Sequence, residues 1–399
     1  MQLDLPGRPH LTYCTNIHAG EHWEEIAEVL RSHVRAVKGH IAPGEPMGVG
    51  LRLSAAAAER LAEPARLAEL KAFLADAGLY VFTINAFPYG PFHGRPVKAA
   101  VYEPDWRTPE RLAFTNRVAD ILAELLPEGM TGSISTVPGA YKACVGGEDD
   151  VAAMAAAMVS AAAHLHELER ATGREIVLAL EPEPCCFLET TQEAIGFFTE
   201  HLFSDKAADA FAAQAATSRA DARAGLRRHL GLCLDVCHAA VVFEDACASL
   251  AALGAAGIRV AKLQLSSALK VPAVTHDAER LLGRFDDGIY LHQTYESRDG
   301  RLTRYTDLPD AFAALRDGKG GGEWRVHCHV PLFEPSYGAL QSTRDELSEV
   351  LRLCRVEAVA PHLEVETYTW GVLPEDLRTA DINADIAREL AWVRSQLEA

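Results

Sequence analysis

The sequence predicts an α/β fold, a single (β/α)8 TIM barrel with one inserted β-hairpin. Three observations predict it. Strand-like and helix-like runs alternate along nearly all 399 residues, which implies βα units and a parallel sheet. Several strand-like runs are near-continuous apolar stretches ending in a polar residue, such as IVLALE and GLCLD, as parallel strands buried on both faces read. Polar residues also collect at the C-terminal ends of many different strands: Asn16, Asn85, Glu181, Asp235, Gln264, His329 and Glu366. Barrel enzymes build their sites there. An open nucleotide-binding sheet would carry GxGxxG or GxxxxGK[ST], and neither occurs.

In chain order, the strand runs are 12–17, 47–53, 79–87, 132–137, 175–181, 231–236, 258–266, 324–330 and 362–368. That is one run too many for eight places, and 324–330 is either the extra strand or part of an insertion. Residues 55–77, 109–126, 151–171, 191–203 and 246–255 repeat their apolar residues at helical spacing. Residues 289–307 read as an inserted hairpin, because Asp299-Gly300 stands between alternating runs. The expectation is one domain over 1–399 with an insertion at about 285–323. Residues 203–228 and 317–323 read as surface loops or irregular helix.

Composition narrows the function. Hydrophobic residues make up 49% and charged residues 24%, which is ordinary for a globular chain. Lys and Arg number 38 against 56 Asp and Glu, a net charge of −18. Such a surface repels phosphate backbones and argues against a nucleic-acid partner. The N-terminus shows no apolar signal core, and the apolar stretch 151–163 is too short to span a bilayer. No stable membrane insertion is expected. The nine cysteines are scattered without CxxC spacing, so they read as reduced thiols in a cytoplasmic protein.

Strand alternation assigns faces. Glu181 and Glu183 share one face, Asp235 lies with Cys233 and Cys237, and His238 follows just past the strand. Gln264 lies with Lys262 and Ser266, His327 with Arg325 and His329, and Glu366 with His362 and Glu364. With these polar faces inward, carboxylates, imidazoles and an amide meet at one end of the barrel. Acids packed at that density need a cation or hydrogen bonds. Carboxylate oxygens with imidazole nitrogens suit a divalent metal: Zn²⁺, Mn²⁺, Co²⁺ or Mg²⁺. The candidate ligands are Glu181, Asp235, His238, His327, His329 and Glu366. Glu183 and Glu364 read as hydrogen-bonding neighbours, and the cysteines as small core fillers.

VLALEPEP, GLCLDVCHAAV, a QLS strand end and HLEVET resemble the xylose-isomerase-like TIM-barrel superfamily of sugar isomerases, epimerases and endonuclease IV relatives. LTYCTNIHAGEHW, NAFPYGPFHG, VKAAVYEPDW and VETYTW look most like its EboE branch of metabolite traffic proteins. The resemblance implies that Glu181 and Glu366 are metal ligands and the acid/base pair, with Asp235 a ligand and His238 a ligand or substrate contact. Gln264 stands where sugar epimerases place a ligating histidine, and His327 or His329 is expected to supply that imidazole. Asn85 and Val137 occupy places where endonuclease IV needs histidines, which argues against a trinuclear nuclease.

Two functions follow as expectations. The first is a metal-dependent isomerase or epimerase moving a proton on a small metabolite, with Asn16, Asn85, His238, Gln264 and Trp370 contacting substrate. The second is a barrel that binds or delivers a small metabolite without turnover. Phe87, Tyr89, Phe92, Trp106, Tyr368 and Trp370 would then suit an aromatic ligand. An endonuclease IV-like hydrolase ranks below both.

Overall fold

The computed structural model describes residues 1–94, 96–378 and 380–398. Eight parallel strands form the central sheet: β1 (His10–Tyr13), β2 (Met47–Arg52), β3 (Leu79–Asn85), β4 (Gly132–Thr136), β5 (Ile176–Leu180), β6 (Leu230–Asp235), β7 (Val260–Leu265) and β8 (His362–Val365). Their order is β1-β8-β7-β6-β5-β4-β3-β2, so each strand lies beside its neighbour in sequence. Between β1 and β2 the closure is made by a single Cys14–Gly50 bridge and by Thr12. The Thr12 hydroxyl donates to Gly48 O (2.8 Å) and accepts from Gly50 N (3.1 Å). A side chain thus takes over part of the ladder at the seam, and the sheet is a nearly closed (β/α)8 barrel.

Helices alternate with the strands on the outside. Their starts are set by sequence: Ser54 accepts from Ala57 N, and Thr190 with Glu193 forms a capping box. Residues 203–228, expected as loop or irregular helix, instead hold two helices, Asp205–Gln214 and Arg219–His229, capped by Ser204 and Ser218. Their apolar residues do recur at helical spacing, but the faces are short and largely alanine. The longest helix, Glu148–Thr172, passes by length and composition for a membrane span, but half of its most apolar window is buried. It packs on β5 and on helices Pro109–Leu125, Asp205–Gln214 and Arg219–His229.

The ninth run is not a barrel strand. Residues Glu323–Val326 belong to a second, six-stranded sheet, ordered 301–305, 294–298, 323–326, 269–271, 340–342, 336–337, with every pairing antiparallel. All six strands lie between β7 and helix Arg344–Val356. The expected hairpin is part of it, Thr294–Arg298 with Arg301–Tyr305, turning at Asp299 and Gly300, both at positive φ. Glu189 ties the hairpin to the barrel. It accepts from the Tyr295 hydroxyl, from Arg304 Nη1 (3.1 Å) and from Lys142 Nζ (2.8 Å).

Inside the barrel, Lys262 of β7 pairs with Glu364 of β8, both fully buried, and Lys262 also donates to Ser135 Oγ (3.3 Å). Gly50 is required beside this pair: a Cβ there would lie 1.8 Å from Glu364 Oε1 and 2.7 Å from Tyr13 O.

Candidate active site

Three carboxylates are delivered by three strand ends. Asp235 is the last residue of β6, and Glu181 and Glu366 directly follow β5 and β8. All three are buried, and their ligand atoms lie within 4.8 Å of one another. Asp235 Oδ1 accepts from Ser266 Oγ (2.6 Å) and His238 N (2.9 Å). Its Oδ2, like Glu181 Oε2, is buried with no hydrogen-bond partner. Glu366 Oε1 accepts from Asn16 Nδ2 (2.6 Å) and Asn85 Nδ2 (3.2 Å). Burial, then the charge of Asp235, pushes the Glu181 carboxyl well up; burial, then Glu181, does the same to Glu366. Burial also opposes ionisation of Asp235, while the hydrogen bonds from Ser266 Oγ and His238 N favour the carboxylate. Three acids this close do not all ionise without a cation.

The imidazoles complete the set. His238 Nδ1 donates to Pro182 O (3.0 Å), and His329 Nδ1 donates to Glu366 O (2.6 Å). His327 Nδ1 donates to Gln293 Oε1 (2.8 Å). The Gln293 amide is oriented by its own donors, to Tyr102 Oη (2.9 Å) and Pro184 O (3.1 Å). Each ring therefore turns an Nε2 lone pair toward the site. His238 and His327 Nε2 are 3.1 Å apart, and His238 and His329 Nε2 stand 3.9 and 3.8 Å from Asp235 Oδ2. Burial keeps the rings neutral, lowering His238 to about 4. Facing lone pairs at that distance repel unless a cation lies between them. The donor atoms of Asp235, His238 and His329, and those of Glu183, His238 and His327, also fall within 4.8 Å of one another. With Glu181 Oε2, Asp235 Oδ2 and His329 Nε2 all buried and unpartnered, the residues present fit a divalent ion.

A cavity of about 70 Å³ opens onto this cluster. Asn16, Asn85, Glu181, Glu183, His238, His327 and Glu366 form its polar side. Phe87, Phe92, Tyr102, Tyr290 and Tyr368 form the other, with Lys98. Gln264 does not line it; its amide is fully buried, in register with Asp235 and Glu364, and neither amide atom has a hydrogen-bond partner. Trp370 lies away from the cavity, donating to Glu389 Oε2 (3.1 Å). Trp106 is fully buried against Thr136, and Tyr89 packs on Phe114.

Sequence reasoning missed Tyr102, Tyr290 and Gln293. Glu183, read there as a hydrogen-bonding neighbour, faces the cavity; burial pushes its carboxyl up to about 8, although it accepts from Tyr102 Oη (2.6 Å). The one signal for it was its place on the Glu181 face of the same strand.

No family model matches the sequence, and no curated protein matches it. Solved structures align with nearly its whole length at low identity. An L-ribulose 3-epimerase is 13% identical, covers 98% of this chain and 94% of its own, and gives a TM-score of 0.47. D-allulose 3-epimerase from Methylomonas sp., in complex with D-allulose, is 13% identical over 99% of both chains at 0.45. A xylose isomerase-like TIM barrel protein from Mycobacterium smegmatis, in complex with magnesium, is 14% identical over 98% and 96% at 0.45.

Proposed function

We propose that this barrel is a divalent-metal-dependent enzyme that moves a proton on a small hydroxy-carbonyl metabolite, as an isomerase or epimerase does. One observation carries the reading. Glu181 and Glu366, both buried and both held toward the protonated form, flank an ionised Asp235 at the end of a cavity. Glu181, Asp235, Glu366 and one or more of His238, His327 and His329 would hold the ion. When bound, it supplies Lewis-acid polarisation of a carbonyl or hydroxyl oxygen.

The chain's own residues do the rest. Repulsion between Glu181 and Glu366 keeps one protonated while the other is ionised. The ionised member removes a proton from the carbon next to the carbonyl, and the freed electron pair passes to the carbonyl oxygen. The protonated member returns a proton, to the opposite face of the same carbon for epimerisation, or to the former carbonyl carbon for isomerisation, where the neighbouring hydroxyl passes its proton to the former carbonyl oxygen and becomes the new carbonyl. Asn16 and Asn85 donate to Glu366 Oε1 and fix which of its oxygens is free.

The aromatic side of the cavity favours a second reading, an EboE-like barrel that binds or passes on a metabolite without turnover. A phosphate backbone finds no support here. Lys98 is the one cation among the described lining residues, and it pairs with Asp307 (2.6 Å).

The test loads the protein with Zn²⁺, Mn²⁺, Co²⁺ or Mg²⁺ and follows solvent deuterium entering the carbon beside a ketose carbonyl by NMR. Exchange in the wild type and its loss in Glu181→Gln and Glu366→Gln is the expected result. In Asp235→Asn, metal content should fall sharply with the fold intact. Unchanged metal content contradicts the ligand assignment, and binding without exchange moves the conclusion to the second reading.

A further inference from the structure

We infer that the substrate is a neutral compound with a hydroxy-carbonyl head and a flat aromatic body, and not an open polyol. The head rests on the proton-transfer reading above; the body rests on the cavity wall alone. The acids, amides and imidazoles that line the cavity are Asn16, Asn85, Glu181, Glu183, His238, His327 and Glu366. The same cavity is lined by a cluster of three rings from three separate segments, Phe92 after β3, Tyr290 in the insertion and Tyr368 after β8, with Tyr368 packed against His329 (centroids 4.6 Å apart). Their centroids are 5.1, 5.4 and 5.0 Å apart, with ring planes inclined by 46°, 64° and 71°.

This wall has few polar atoms to offer a ligand. The Tyr290 hydroxyl is engaged by His93 Nδ1 (3.0 Å), and the Tyr102 hydroxyl by Glu183. Phe87 and Phe92 have none, which leaves the Tyr368 hydroxyl as the polar group these described rings offer a ligand. A five- or six-carbon polyol carries a hydroxyl on each carbon, and those beyond the head would leave water to face ring edges, an unfavourable exchange. A planar apolar body would instead add edge-to-face contacts to the cluster. Charge excludes an anionic body in the same way. Glu181, Glu183 and Glu366 line the cavity with Asp235 behind them, and the one described lining cation, Lys98, already has Asp307.

Four probes test this on the zinc-loaded protein by calorimetry. 2-Hydroxyacetophenone carries head and ring, dihydroxyacetone the head alone, D-fructose the head with a polyol body, and 4-(hydroxyacetyl)benzoate an anionic ring. The ring compound should bind at least tenfold tighter than each of the other three. Phe92→Ala should erase its advantage over dihydroxyacetone with zinc content unchanged. Phe92→Leu, which keeps the apolar volume, should reduce it and serves if the alanine variant does not fold. Equal affinity for the neutral probes, tighter binding of D-fructose, or no binding of 2-hydroxyacetophenone overturns the inference. Because affinity and exchange are read in separate measurements, aromatic preference without deuterium exchange would sink only the proton-transfer reading. Exchange with D-fructose but without aromatic preference would sink only this one.

Discussion

At the scale of residues, the site depends on where protons are held. Gln293 is the clearest case: its amide is locked by Tyr102 and Pro184, so its oxygen must face His327 and keep that ring's Nε2 free of a proton. Gln293→Leu should therefore weaken zinc binding about 10–100-fold, the usual cost of losing such an outer partner, with little change in the fold. A competition titration with a chromophoric chelator reads this, and unchanged affinity would remove Gln293 from the site. Metal uptake should also depend on pH in a fixed direction. Burial and mutual repulsion favour protons on Glu181 and Glu366, and an ion must displace them. Affinity should rise as pH rises through neutrality, with proton release visible as a buffer-dependent binding enthalpy; pH-independent uptake would place the ion elsewhere. The acids were legible in the sequence because a carboxylate ending an apolar strand has no good structural reason to be there. Gln293 and Tyr102 were not, since neither stands on a barrel strand and the contacts that join them to each other and to the site span 34 residues to His327, 81 to Glu183 and 191 between the two. No period or spacing encodes such contacts.

At the scale of elements, the run WRVHCHV shows why one strand was surplus. It alternates strictly, as a half-buried antiparallel strand does, whereas the barrel strands read as continuous apolar runs. Pairing ends at Val326, so His327 and His329 lie on irregular backbone and still reach the barrel mouth. That backbone is held by Glu389 on the C-terminal helix Ile382–Glu398. Glu389 accepts from Leu332 N (3.0 Å), Thr367 Oγ1 (2.8 Å) and Trp370 Nε1 (3.1 Å), joining the histidine segment to the residues after β8. Burial pushes its carboxyl from 4.5 to about 7. The folded state thus holds a proton that the unfolded chain loses near pH 4.5. The contribution of this group is full below pH 4.5, falls as pH rises to about 7, and totals about 3 kcal/mol at 1.36 kcal/mol per pH unit. Glu389→Gln should flatten that part of the stability profile. It should also lower stability overall, since an amide nitrogen cannot accept from Trp370. Urea melts of both proteins at pH 4.5, 6 and 8 decide it, and parallel profiles would refute the assignment.

At the scale of the whole molecule, barrel closure is the feature that strand patterns foretell least. Alternation announces parallel strands, but nothing in HLTY or MGVGLR says that the first and second strands meet through one bridge and a threonine hydroxyl. The seam also bears on the site, because Asn85 ends β3 on one side of it and donates to Glu366, which follows β8 on the other, whereas Asn16 and Glu366 follow the paired strands β1 and β8. Thr12→Val keeps the shape but leaves Gly48 O and Gly50 N buried without their partner, at about 1–3 kcal/mol for each. Thr12→Ser keeps the hydroxyl and should cost less than about 1 kcal/mol, mainly for the lost methyl. Gly50→Ala should be worse than either. Its Cβ would meet both a buried carboxylate and the Tyr13 carbonyl; the carboxylate is already bound to Lys262 inside the barrel, and the carbonyl belongs to the neighbouring strand. Relief would require β1 and β2 to part, which opens the barrel and carries Asn85, on the β2–β3 side of the seam, away from Glu366. The expected order of urea midpoints in EDTA is wild type, Thr12→Ser, Thr12→Val, then Gly50→Ala, with zinc affinity falling in the same order. Seam variants that lose stability while keeping full zinc affinity would show that the metal cluster stands independently of barrel closure.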